Sequence, residues 1–105
     1  MRFIETPIFT EDAAALLPDD EYRALQVALV LRPEQGTLIR GSGGLRKLRW
    51  RVRGSGKRGG IRVIYYWYRP EEAFYMLRAY RKSRQEDLTP TQLRTLSRLV
   101  GEEFG

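Results

Sequence analysis

The chain contains no cysteine and no histidine. Without cysteine there can be neither a disulfide framework nor a thiolate metal site. Without histidine it lacks the side chain that ordinarily moves protons near neutral pH and is the commonest nitrogen ligand for metals. No apolar run approaches the roughly 18 residues that would indicate a membrane span. The N-terminal MRFIETPIFTED has no hydrophobic core followed by a small-residue cleavage site, so export is not expected and the cytoplasm is the expected compartment. A further absence is local: between Gln35 and Pro70 there is no Asp or Glu.

That acid-free stretch carries ten of the nineteen bases: Arg40, Arg46, Lys47, Arg49, Arg51, Arg53, Lys57, Arg58, Arg62 and Arg69. The chain as a whole is +6, so the remaining residues hold nine bases against thirteen acids and are net −4. A field concentrated in this way attracts a polyanion, because each phosphate neutralised releases condensed counterions. Trp50, Tyr65, Tyr66, Trp67 and Tyr68 run through the same region, and bases interleaved with rings suit unpaired nucleotides. RNA is the first candidate ligand. At 105 residues and 42% apolar content the chain reads as one domain, residues 1–105, with a single modest core.

The apolar spacing gives the order β-α-α-β-β-β-α. Arg2 to Thr6 reads as a strand stopped by Pro7, and Thr10 as the cap of a short helix through Leu17. A second helix opens on Asp19, Asp20 and Glu21 and ends near Arg32, before Pro33 and Gly36. After Gly41-Ser42-Gly43-Gly44 the period becomes two: Leu48, Trp50 and Val52 alternate with Lys47, Arg49, Arg51 and Arg53. The turn at residues 54–60 then leads into Ile61–Tyr68 as a hairpin, followed by a strand over Ala73–Tyr80. Thr89-Pro90-Thr91-Gln92 fits an N-cap, a first-position proline and a capping-box glutamine, with Leu88 and Leu93 as the staple. The expected class is α+β, a mostly antiparallel sheet with helices packed on one face.

Side-chain alternation then assigns faces. With Leu48, Trp50 and Val52 toward the helices, Val63, Tyr65 and Trp67 join them, as do Tyr75, Leu77 and Ala79. Lys47, Arg49, Arg51, Arg62, Ile64, Tyr66, Tyr68, Arg78, Tyr80 and Lys82 fall on the open face. The plain alternative is a solvated sheet face that is merely basic. Rings on a bare face weigh against it, since they normally seek a partner. Only three bases are lysines, namely Lys47, Lys57 and Lys82. Arginine clamps phosphate but is a poor proton acceptor, whereas like charges around a lysine can make it a workable acid or base. Lys57, at a glycine-rich loop tip, has the ready alternative of simple solvation. No acid in the basic stretch offers magnesium a site beside the phosphate, and no cofactor or metal is expected.

The run GSGGLRKLRWRVRGSGKRGGIRVIYYW, followed by AYRKSRQEDLT and a final helix, resembles the RelE/HigB toxins of bacterial type II toxin–antitoxin systems. GGLRKLRW, GKRGGIRVIYYW and YRKSRQEDLT carry the resemblance together, in that order. It implies an endonuclease that enters the 30S A site of the translating ribosome and cuts the exposed mRNA codon without metal or histidine. In such toxins the 2′-hydroxyl attacks the adjacent phosphate, leaving a 2′,3′-cyclic phosphate and a 5′-hydroxyl. Arg62 matches the family arginine of the central strand and would stabilise charge on the phosphate. Lys82 falls where the family has a basic residue after the last strand, and would protonate the leaving oxygen or clamp the phosphate. Lys47, Arg49 and Arg51 match the basic strand before the hairpin, with Lys47 the choice for activating the hydroxyl. Arg53, Lys57, Arg58 and Arg78 join the RNA-binding set.

RelE-type members carry a base-stacking tyrosine where this chain has Leu88. Stacking therefore passes to Tyr80, with Tyr66 or Tyr68 in reserve, a pattern closer to the HigB branch. The resemblance also implies a cognate antitoxin, a helix-turn-helix protein from a neighbouring gene. A ParE-like gyrase inhibitor on the same fold and a noncatalytic RNA-binding module are the competing readings.

Overall fold

In a computed structural model of the protein, residues 1–52, 60–85 and 87–104 are described. Their elements run β1 (Arg2–Glu5), α1 (Pro7–Leu16), α2 (Asp19–Leu31), β2 (Thr37–Leu38), β3 (Arg46–Arg51), β4 (Gly60–Tyr68), β5 (Ala73–Arg81) and α3 (Pro90–Phe104). A 3-10 turn at Arg69–Glu71 joins β4 to β5. The strands form one sheet in the order β1-β5-β4-β3-β2, with β1 parallel to β5 and every other pairing antiparallel. The α+β class and element order are those expected from the sequence, with the short β2 added at the edge. Arg53, Lys57 and Arg58 lie outside the described residues.

Pro7 both ends β1 and opens α1. Its fixed φ suits the first helical position, where an amide hydrogen would be unused. Thr6, rather than Thr10, is therefore the cap, its hydroxyl accepting from the Phe9 amide at 3.0 Å. The capping box at α3 forms as expected: Gln92 N donates to Thr89 Oγ1 at 3.1 Å, and Thr89 N donates to Gln92 Oε1 at 3.0 Å.

The helices do not all share one face. Phe9, Ala13, Leu17, Leu25 and Leu29 of the α1–α2 layer pack on Leu48, Ile61, Val63, Tyr65, Phe74 and Met76. On the opposite face Leu96 and Val100 of α3 pack with Leu45, Ile64, Leu77 and Tyr80. The expected one-face placement thus holds for α1 and α2 alone. β4 and β5 are sandwiched, which explains why IRVIYYWY is an almost unbroken apolar run rather than an alternating one.

Tyr65 ties the loop after α2 to the sheet. Its hydroxyl donates to Pro33 O at 2.8 Å and accepts from Gly36 N at 3.0 Å. A Cβ at Gly36 would lie 2.8 Å from Tyr65 Cε1, so only glycine lets the chain pass this close.

A register shift between Ile64 and Tyr65 changes the facing of β5: Ile64 opposes Arg78, while Tyr65 opposes Met76. The extra residue breaks strict alternation. Ala79 faces α1 and α2 as expected, but Tyr75 and Leu77 turn to the α3 side. Arg78, expected on the open face, instead donates through Nε to Asp12 of α1 at 3.0 Å. The same Asp12 oxygen accepts from the Ala79 amide at 2.8 Å, so one carboxylate holds both residues at the irregularity. Asp12→Ala is expected to destabilise the protein by about 1–3 kcal/mol through the unpaired amide and guanidinium left behind. Urea unfolding measures this, and an unchanged midpoint would show that the bulge needs no clamp.

Candidate nucleic-acid interface

Across the centre of the sheet, Arg49, Arg62 and Tyr80 lie opposite one another on β3, β4 and β5. Directly opposed residues share a face, so this row stands on the α3 side with Ile64, which in turn opposes Lys47. α3 packs over the Tyr80 end of the row. Its first turn brings Leu93 beside the recess that Tyr80 lines, Leu96 and Val100 join the cluster that holds Tyr80, and its end carries Phe104 onto Tyr66, Tyr68 and Tyr75. On the same face Arg49 and Arg51 of β3 stay exposed.

This arrangement redistributes the expected site. Tyr66 and Tyr68 are not on a bare surface: their rings lie 5.3 and 4.4 Å from that of Phe104 and belong to the α3 packing. Arg62 was expected to be exposed, but only 6% of its surface is. Two-sided burial of β4 reaches it because its neighbours on both strands are large. Tyr80 is also buried, at 6% exposure, so it presents no free ring face for stacking. Arg49 and Arg51 are exposed along β3. Lys82 follows β5, its amide donating to Gly60 O at 3.2 Å and its side chain exposed. Leu88 packs against the α3-side cluster, as the staple reading anticipated.

Two features of the row are costly. Among the described residues no carboxylate comes within ion-pair distance of Arg62, although a buried guanidinium normally has such a partner. The Tyr80 hydroxyl is buried and has no hydrogen-bond partner among the described residues. Burial, reinforced by the charge of Asp87, pushes the Tyr80 pKa up, while Arg62 and Arg78 oppose the shift. The phenol thus stays protonated around neutral pH and can donate a hydrogen bond. Beside it is a recess of about 330 Å³ lined by Lys47, Ile64, Tyr80, Asp87, Leu88 and Arg40.

Asp87 is the residue that sequence reasoning missed. It lies well beyond the acid-free stretch, just before the α3 cap, and no spacing rule connects it with β3. Its carboxylate accepts from Lys47 Nζ in an ion pair spanning forty positions. The Lys47 bond and charge, with help from Arg62 and Arg49, hold its carboxyl below the usual carboxylate range against a small opposing effect of burial. The negative charge of Asp87 is thus stabilised by the bases around it. Arg40, counted with the basic stretch but not assigned to the site, also reaches the recess.

No protein-family model matches the chain. Its fold is similar to that of E. coli toxin RelE, a mutant of which in the free state aligns at a TM-score of 0.61 with 12% identity. That alignment covers 93% of this chain and 94% of the other. The intact E. coli RelBE toxin–antitoxin complex contains a chain aligning at a TM-score of 0.54 with 13% identity, over 74% of this chain and 92% of that one. At such identities the likeness establishes a RelE-like fold.

The depressed pKa of Asp87 fixes the direction of a pH effect. The Lys47–Asp87 contribution is fully present above the ordinary carboxylate range and is lost as pH falls through the lowered Asp87 value. An NMR titration of the Asp87 carboxyl is expected to give a midpoint below that of an ordinary aspartate, moving upward in Lys47→Gln. Equal midpoints in the two proteins would remove Lys47 as the cause.

Proposed function

We propose that this protein is the toxin of a type II toxin–antitoxin system and a ribosome-dependent mRNA endonuclease. The observation that carries the reading is the row Arg49–Arg62–Tyr80, with a buried guanidinium and a buried phenol that has no partner among the described residues side by side, next to the exposed Arg49. A phosphodiester supplies what both groups lack: negative charge for Arg62 and acceptor oxygens for Tyr80. The RelE-like fold and the RelBE complex among its structural neighbours support the toxin assignment and an antitoxin partner. We place the antitoxin as a helix-turn-helix protein encoded by a neighbouring gene, and the site of action as the cytoplasmic 30S A site.

The chemistry is transesterification. The mRNA 2′-oxygen attacks the adjacent phosphorus, the bond from phosphorus to the 5′-oxygen breaks, and the products are a 2′,3′-cyclic phosphate and a 5′-hydroxyl. Arg62 neutralises charge that builds on the non-bridging oxygens, and being fixed by burial it needs no reorganisation to do so. The protonated Tyr80 hydroxyl donates toward the phosphate or the leaving oxygen. Lys47, once free of Asp87 and in its neutral amine form, takes the proton from the 2′-hydroxyl and becomes the ammonium. Arg49, Arg51 and Lys82 hold the RNA backbone from the exposed margins, with Arg53, Lys57 and Arg58 contributing to the same field. Because the Tyr80 ring is buried, its part is played by its hydroxyl edge. The packing of Leu88, in place of the stacking tyrosine of RelE-type members, supports placement nearer the HigB branch.

Tyr80→Phe separates function from folding, since it removes only a hydroxyl that has no partner among the described residues. Its stability is expected to be equal to or slightly above that of the wild type, while cleavage on translating ribosomes falls about a hundredfold. Arg62→Gln, chosen over alanine because the side chain is buried, is expected to lose on the order of 10²–10³ in rate. Mapping 5′ ends of mRNA after brief induction provides the measurement. Intact messages alongside continued growth inhibition would overturn the endonuclease reading, and inhibition of gyrase supercoiling by the same protein would replace it.

A further inference from the structure

Lys47 and Asp87 are brought together from forty positions apart in the chain, one on β3 and the other just before α3. The Asp87 carboxylate meets Lys47 at the recess that Tyr80 also lines, within the field of Arg62 and Arg49. It is the described carboxylate that reaches this group of bases, and it does so where an external anion would be best stabilised. An exposed ion pair of this kind contributes little to folding. The Asp87 side chain is two-thirds exposed, so its position is not explained by a need for burial.

We infer that Asp87 is a self-inhibitory occupant of the anion site, standing in for a phosphodiester that must displace it from Lys47 before the site can bind. The surrounding contacts allow displacement without unfolding. Gln85 Nε2 donates to Asp87 O at 2.8 Å and to Gln92 Oε1 at 2.6 Å, fastening the backbone before the helix to the α3 capping box. The main chain of Asp87 is thus held while its carboxylate can swing away by side-chain rotation alone. Release uncovers the Lys47 ammonium and the recess together, and an arriving phosphate oxygen can then reach the Tyr80 hydroxyl. In the closed arrangement Lys47 is engaged by a carboxylate, so the same contact keeps the bases from scavenging unrelated anions and withholds Lys47 from proton transfer. That the displacing anion is RNA rests on the function proposed above; the displacement itself does not.

The test compares wild type, Asp87→Asn and the charge-matched control Glu102→Gln, which alters an exposed acid on α3. Inorganic phosphate is the probe, followed by NMR of the Arg62 and Lys47 side chains at fixed ionic strength. Asp87→Asn keeps the side-chain shape, and its melting temperature is expected to stay close to that of the wild type. Its phosphate affinity is expected to rise about threefold beyond any change in the control, the size of one exposed ion pair released. An affinity equal to the control, or weaker than wild type, would overturn the inference, the latter making Asp87 a positioning residue for Lys47. Cleavage on ribosomes is measured in parallel. Tighter phosphate binding in Asp87→Asn without mRNA cleavage by any variant would uphold the self-inhibitory contact and sink the proposed activity. Cleavage by wild type without tighter phosphate binding in Asp87→Asn would do the reverse.

Discussion

The pairing of β4 with β5 is covered from both sides, by α1 and α2 on one face and α3 on the other. Backbone groups so enclosed must be satisfied within the sheet, and side chains on both faces must be packed, which favours an apolar run rich in β-branched and aromatic residues. The register shift within this pair determines which β5 residues meet which layer. It places Tyr75 and Leu77 on the α3 side, with Tyr80, while Ala79 stays with α1 and α2. Without it, a strict period of two would put Leu77 and Ala79 on one face.

The candidate site lies on the α3 side of this enclosure. α3 packs with Ile64 and Tyr80, and through Phe104 with Tyr66 and Tyr68, and Arg62 lies between Tyr80 and the exposed Arg49. Arg62 is thereby buried by its neighbours without being matched by a described carboxylate, and the Tyr80 hydroxyl is enclosed without a described partner. Both are unfavourable for stability. Under the proposed function they are also fixed groups, which stabilise a developing charge more effectively than mobile ones because nothing must be reorganised when the charge appears. The exposed bases on β3 and after β5 would then serve to attract and hold the RNA backbone.

Much of this was legible in the residues themselves. Alternation in Leu48, Trp50 and Val52, the Thr89–Gln92 capping signature and the two-helix opening all follow from local periodicity and hydrogen-bonding chemistry, and all appear in the fold. Thr6 rather than Thr10 is the cap because Pro7 opens the helix as well as ending the strand. Tyr66 and Tyr68 are not on a bare face, because nothing local says on which side of the sheet a C-terminal helix will dock, and Arg62 is buried by neighbours on other strands that no local pattern reveals.

Sequence alone determined the α+β element order, the concentration of positive charge in one third of the chain, and a chemistry without histidine or cysteine. Each is a property of residue identity or of spacing along a single element. Tertiary structure alone decided that α3 packs on the face that carries the basic row, that a bulge turns Tyr75 and Leu77 to that side, and that Asp12 holds Arg78 and Asp87 meets Lys47. Those outcomes depend on contacts between residues far apart in the chain, whose geometry is set by packing and register rather than by any pattern along it. The acid-free stretch supplies the concentrated positive charge; the placement of one distant aspartate and one helix decides which parts of it stay uncovered.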